Sequence, residues 1–152
     1  MEPMIVAVFD TNIILQAILN EGGPADACVR FVFDGQVRLV ITEAVFGEIE
    51  DVVSRPKMKA KYPQLRTERR NQLIEKLRSI AAAVQEPSKI YSFERDRTDE
   101  IFLNLALEFS ADHLVTRDRD LLDLRDDLEF ISRYPSLKIV DPFEFVQVVR
   151  AK

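Results

Sequence analysis

Aspartates stand at three places in this 152-residue chain where an apolar run stops or a helix could begin. Ile5-Val6-Ala7-Val8-Phe9 ends at Asp10, followed by Thr11 and Asn12. Asp96 and Asp99 lie in Asp96-Arg97-Thr98-Asp99-Glu100, ahead of a stretch with helical periodicity. Asp118 and Asp120 follow His113-Leu114-Val115 within Thr116-Arg117-Asp118-Arg119-Asp120. Unpaired carboxylates that meet repel one another and hold their protons more tightly unless a cation sits among them. Hard divalent ions, Mg²⁺ or Mn²⁺, bind through carboxylates and keep sites open for water and substrate phosphate. No cluster of histidine and cysteine offers a zinc site: His113 reads as structural and Cys28 as helix packing.

Each acid also has a purely structural alternative. An acid in the first helical turn caps free N–H groups and stabilises the helix dipole, which accounts for Asp96 and Asp99 without function. Asp118 can open a turn toward Leu121-Leu122. Asp10 is the exception, because an acid directly after a fully buried strand has little structural purpose.

For these acids to meet, the elements that carry them must end together. The uninterrupted run Ile5–Phe9 predicts a strand buried on both faces, as in a parallel sheet covered by helices. Val37–Ile41, His113–Thr116 and Leu137–Val140 predict three more strands. Between them the pattern predicts helices over Ile13–Leu19, Ala25–Asp34 (stopped by Gly35), a helix capped by Thr42, Thr67–Ala83, Asp99–Phe109 and Phe143–Arg150. The helix after Thr42 carries Val45, Phe46, Ile49, Val52 and Val53 on one face, with Glu48 and Glu50 on opposite flanks of it. Periodicity does not choose between those two glutamates. Leu73, Ile74, Leu77, Ile80 and Ala81 form the expected buried stripe of the long helix, and Ile101, Phe102, Leu105, Ala106 and Phe109 that of the next. Glu86-Pro87-Ser88-Lys89 reads as a loop or short edge segment. Strands alternating with helices give an α/β class with a mainly parallel sheet of four to five strands, and residues 55–83 form a helical excursion from it. If the first and third strands are neighbours, Asp10 and Asp118 end at one edge, where parallel sheets place ligands.

Composition is consistent with one domain over residues 1–152: 47% of residues are hydrophobic, enough for a sizeable core. The single cysteine excludes an intramolecular disulfide, and no apolar run approaches the ~20 residues that span a bilayer, so a soluble cytoplasmic protein is expected. Net charge is −5, unevenly spread. From Arg55 to Arg70 there are seven basic residues (Arg55, Lys57, Lys59, Lys61, Arg66, Arg69, Arg70) against Glu68 alone, a local +6 that leaves the rest at −11. Such a lobe can hold a phosphate backbone beside a cation-binding body, or be a solvated, salt-bridged surface.

These motifs together resemble the PIN domain. Asp10-Thr11-Asn12, Thr42-x5-Glu48-Ile49-x3-Val53-x-Arg55-Pro56-Lys57, Asp96-x2-Asp99-x2-Phe102-Leu103-x2-Ala106, and Ala111-Asp112-x3-Thr116-x-Asp118-Arg119-Asp120-Leu121-Leu122 occur in the family's order, from about Met4 to Phe145. The subgroup they resemble comprises toxin components of toxin–antitoxin systems (VapC-like). The resemblance implies a three-layer α/β/α fold and an Mg²⁺- or Mn²⁺-dependent endoribonuclease with Asp10, Glu48, Asp99 and Asp118 as its four acids. It thereby favours Glu48 over Glu50. Asp96 and Asp120 match acids that vary more in the subgroup and rank second as metal ligands. Thr11, Asn12 and Thr116 would orient carboxylates or metal waters. Arg117 stands where the family often has a small residue, and an arginine there can bind phosphate. With Arg55, Lys57, Lys59 and Lys61 it makes up the expected nucleic-acid contacts. Hydrolysis by metal-activated water would leave a 5′-phosphate and a 3′-hydroxyl. An RNA substrate, a protein antitoxin near the acids and a homodimer are the partners implied, with no membrane. Two other classes compete: a nucleic-acid-binding or scaffold protein with little catalysis, against which the four acids speak, and an Mg²⁺-dependent phosphotransfer domain, whose Asp-x-Asp is replaced by Asp10-Thr11-Asn12 and whose phospho-accepting Asp and later lysine have no well-placed counterparts.

Overall fold

A computed structural model of the chain describes residues 4–63 and 67–152. Arg66 of the basic lobe lies outside the described residues. Among those described, five strands form one sheet: β1 (Ile5–Phe9), β2 (Val37–Thr42), β3 (Ala82–Val84), β4 (His113–Val115) and β5 (Lys138–Val140). Every pairing is parallel and the order is β3-β2-β1-β4-β5. β1 is central, and four of its five residues are buried, as an apolar run covered on both faces requires.

The chain builds outward from β1 in both directions. β1 is followed by α1 (Thr11–Leu19) and α2 (Pro24–Phe33), β2 by α3 (Glu43–Ser54), α4 (Pro56–Lys61) and α5 (Thr67–Ile80). The path then returns across the sheet through α6 (Glu100–Glu108) to β4, and through α7 (Arg119–Leu122), a 3₁₀ turn over Asp123–Asp126 and α8 (Leu128–Arg133) to β5. α9 (Pro142–Arg150) closes it. α2 packs on α1, α5 and α9, whereas α6 packs on β1, β2 and β4. Right-handed crossovers running in opposite directions put their helices on opposite faces, which gives the three layers. The strand order reverses between β1 and β4, so the crevice at their carboxyl ends is the topological switch point.

Most helix ends follow local chemistry. Gly35, at φ +78°, closes α2, with the Gln36 N–H donating to the Phe31 carbonyl at 3.0 Å. Thr42 caps α3 through the Val45 N–H at 3.1 Å. Asp141 and Glu144 form a capping box at α9.

Four expectations are corrected. The long helix stops at Ile80, not Ala83, so the helical excursion ends there too; Ala82–Val84 forms an edge strand, and residues 86–89 are a loop, the first of their two expected forms. Alanines favour helix in isolation, but Ala82 to Val84 pair with Val40 to Thr42, whose outer backbone would otherwise be bare. Ile80 and Phe109, expected in the core, stand at helix ends and are exposed. α1 begins at Thr11 rather than Ile13, because the Asp10 carboxylate accepts the Asn12 N–H at 3.0 Å. An acid after a buried strand therefore does have a structural purpose here: it caps the next helix.

Candidate metal and catalytic site

β1 and β4 run side by side, with Phe9 in register with Val115. Their following residues are tied by short polar bonds. The Asp10 N–H donates to the Val115 carbonyl at 3.0 Å, and the Thr116 hydroxyl donates to Asp10 Oδ2 at 2.8 Å. Thr116 Oγ1 also accepts the Asp118 N–H at 3.0 Å, so one fully buried hydroxyl positions both acids. Asp118 caps α7 by accepting the Asp120 N–H at 2.8 Å. Thr116 thus ties Asp10 to the turn of Asp118.

Asp96 and Asp99 arrive from the other side of the crevice. Asp96 folds into a turn of its own, accepting from the Thr98 N–H at 3.0 Å and the Thr98 hydroxyl at 2.6 Å. That hydroxyl bond, foremost, holds the Asp96 carboxyl below its ordinary value. Asp99 occupies the cap position of α6 yet makes no side-chain cap bond. Its residue is 7% exposed, and its Oδ2 atom is buried without a hydrogen-bond partner. Burial, followed by contact with the facing Asp118 carboxyl and the charges of Asp10, Asp118 and Asp96, pushes the Asp99 carboxyl up to about 8. Asp10 is also raised, chiefly by burial and against the pull of its bonds from Asn12 and Thr116. Capping accounts for Asp10 and Asp118, but not for Asp99.

Oxygens of Asp96, Asp99 and Asp118 lie within 4.8 Å of one another, a spacing that suits shared coordination of one cation. The adjoining cleft, about 410 Å³, is lined by Asp10, Thr11, Asn12, Glu48, Thr98 and Asp99 over an apolar floor that includes Val45, Ile101 and Phe102. The donor set is oxygen only, with one buried oxygen left unpartnered, and both features fit Mg²⁺ or Mn²⁺.

The nine predicted acids and polar groups are therefore not equivalent. Asp96, ranked second from the sequence, belongs to the tight cluster. Asp10 abuts it, and Glu48 faces it across the cleft, exposed at the wall. Glu50 turns the other way and accepts from Arg78 at 3.0 and 3.1 Å, so the three-dimensional placement separates the two glutamates that periodicity left equal. Asp120 pairs instead with Arg95 Nε at 2.7 Å. Thr11 lines the cleft with its hydroxyl buried and unpartnered, while Asn12 and Arg117 are exposed. Lys57, Lys59 and Lys61 project from α4, exposed and without ion pairs among the described residues, whereas Arg55 is held by Asp51 at 2.6 Å. Within the same lobe Arg69 binds Glu21 at 3.3 Å and Arg70 donates to the Val53 carbonyl at 3.2 Å, so part of that charge serves packing.

The sequence reading left out Arg95, Asp123 and Thr98. Only the repeated Arg-Asp-Arg pattern at 95–97 and 117–119 hinted at arginines woven among the acids. His113 packs edge-on against Phe145 at 5.4 Å between ring centres, with burial lowering its pKa. The Cys28 thiol is pushed up to about 12 by burial. Both are structural.

A protein of Methanocaldococcus jannaschii described as uncharacterized, MJ1680, is 28% identical over 144 residues, covering 94% of this chain and 90% of its own. The crystal structure of VapBC2 from Rickettsia felis, bound to a DNA fragment from their promoter, contains a chain that shares the fold. The match has a TM-score of 0.54 and 16% identity, and covers 90% of this chain and 98% of that one. The family model of the PIN domain matches residues 6–120, from β1 through the whole acidic cluster, and the chain belongs to the PIN domain family.

Proposed function

We propose that this protein is an Mg²⁺- or Mn²⁺-dependent endoribonuclease and the toxin component of a toxin–antitoxin pair. Asp99 carries the reading. A buried carboxylate that caps nothing, leaves one oxygen unpartnered and is raised to about 8 by burial and then by neighbouring acids is a poor structural residue and a good cation ligand. Asp96, Asp99 and Asp118 would hold the ion, with Asp10 beside them and Glu48 across the cleft. When bound there, a divalent ion would supply a water of lowered pKa and positive charge to offset the negative charge on the scissile phosphate.

The chain's own groups do the positioning. Thr116 fixes Asp10 and the turn of Asp118 through one hydroxyl, and Thr11 and Asn12 line the approach. Glu48, exposed on the cleft wall, is free to meet a substrate or its water. Arg117 and the α4 lysines Lys57, Lys59 and Lys61 would bind the RNA backbone. His113 and Cys28 are packed away, and hydrolysis by metal-activated water needs no side chain as nucleophile.

One domain spanning the chain, a cytoplasmic location, a homodimer and a protein antitoxin over the cleft complete the proposal. One solved structure of similar fold is a VapBC2 complex, and among the described residues no helix is long and apolar enough to cross a membrane.

Cleavage of single-stranded RNA with Mn²⁺ or Mg²⁺ tests this, with single-stranded DNA as a parallel substrate. RNA products should carry 5′-phosphates. Asp10→Ala and Asp99→Asn should slow cleavage by roughly two orders of magnitude or more, as loss of a charge-stabilising group does. Equal rates in wild type and variants would sink the site, and binding of RNA without cleavage would favour the scaffold alternative.

A further inference from the structure

Asp96 reaches the acidic cluster at the end of a segment without helix or strand. Residues 85–98 cross from β3 to α6, and one face of α6 holds the first part of that path by its backbone. Glu108 accepts from the Ser88 N–H at 3.1 Å, and Asn104 Oδ1 accepts from the Ile90 and Tyr91 N–H groups at 2.9 and 2.7 Å. Glu100 accepts from the Phe93 N–H at 2.8 Å. Glu100, Asn104 and Glu108 are four residues apart, so they stack along one side of the helix and zip the strap to it.

Beyond Phe93 the zipper ends. Within residues 94–98, the bonds of Asp96 and Thr98 are internal to the turn or run on to Asp99. Among the described residues, the side-chain bonds that leave this stretch belong to Arg95. Its Nε meets Asp120 Oδ1 at 2.7 Å and its Nη2 meets Asp123 Oδ2 at 2.9 Å. The planar fork thus engages two carboxylates on the α7 side, a geometry that an ammonium group does not reproduce. Asp120 in turn donates its N–H to Asp118 Oδ1. One guanidinium therefore fastens the turn that carries Asp96 to the turn that carries Asp118.

We infer that Arg95 is a positioning residue that latches the Asp96 turn against the Asp118 turn, and that Asp120 serves as its counter-ion rather than as a metal ligand. The latch rests on the metal-site reading above for its purpose, but its mechanical part stands apart from it. Each pair is surface-exposed and individually weak. What matters is that no other side chain in the stretch does the same work, so losing the fork frees the whole turn.

The test compares wild type with Arg95→Lys, Asp120→Asn and the double variant. Amide hydrogen exchange at residues 94–99 is followed without metal, Mn²⁺ affinity by calorimetry, and folding by thermal melts. Lysine keeps the charge and loses the fork, so its effect isolates geometry. Exchange should quicken on the order of tenfold in both single variants, with no further gain in the double, because both break one latch. Mn²⁺ affinity should fall about 10-fold, as for other groups that orient metal ligands, while melting temperatures stay near wild type. Exchange at the wild-type rate in Arg95→Lys would overturn the latch. So would wild-type Mn²⁺ affinity in Arg95→Lys beside a loss in Asp120→Asn as deep as in Asp99→Asn, which would make Asp120 a ligand. If wild type binds no Mn²⁺, the metal reading fails by itself, and the exchange rates still decide the latch.

Discussion

At the scale of single residues, the acids divide by whether a backbone bond accounts for them. Asp10 and Asp118 each cap a helix, so their types alone carried less information than their placement at the ends of β1 and β4. Asp99 is legible only in three dimensions, because cap position implies a cap bond that the structure does not make. Its raised pKa has a consequence for stability. The folded state holds the Asp99 proton up to about pH 8, whereas the unfolded chain releases it near the ordinary 3.8. The folded state then binds more protons than the unfolded one across that window, so this group's contribution falls as pH rises from about 4 to 8. Melts in EDTA should show the wild type losing stability toward pH 8, with Asp99→Asn flattening the loss and melting higher at pH 8. A variant that melts lower than wild type at pH 8 without metal would contradict this. Added Mg²⁺ should raise the wild-type melting temperature more at pH 8 than at pH 5, since it competes with the proton.

At the scale of elements, the sequence exposed four strands and the helices with clear apolar stripes, because burial imposes its period on residue type. It did not expose β3. Ala81-Ala82-Ala83 favours helix locally, and what makes it a strand is the free edge of β2, far away in the chain. Periodicity alone could not choose between Glu48 and Glu50 for the same reason: the packing of the buried face of α3 turns Glu48 to the cleft and leaves Glu50 beside Arg78 of α5, which also binds Glu43. Asn104 is the other long-range element, a buried amide that secures the strap leading to Asp96. Asn104→Ala would leave the Ile90 and Tyr91 N–H groups and the Tyr91 carbonyl without partners, and should destabilise the fold by about 2–4 kcal/mol. Urea unfolding would check it, and a loss below ~1 kcal/mol would show that the strap is held by other means.

At the scale of the whole molecule, the fold places an acidic crevice at the switch point between β1 and β4 and a basic lobe on α4, in a chain whose net charge is −5. The sequence showed this charge division but not which cations are committed to packing. Arg55, Arg69 and Arg70 are engaged in the structure, and Lys57, Lys59 and Lys61 are not paired among the described residues. Changing those three lysines together to Glu should weaken RNA binding and reduce the slope of log K against log salt by about 2, at roughly 0.7 per single-strand phosphate contact. An unchanged slope would mean that α4 is a solvated surface. The claim on which the rest depends is that the acids of Asp96, Asp99 and Asp118 share a divalent cation. Crystals soaked in Mn²⁺ and measured at the manganese absorption edge test it most directly. An anomalous peak is expected about 2 Å from oxygens of Asp99 and Asp118, absent in Asp99→Asn. No peak there at saturating Mn²⁺ would contradict it.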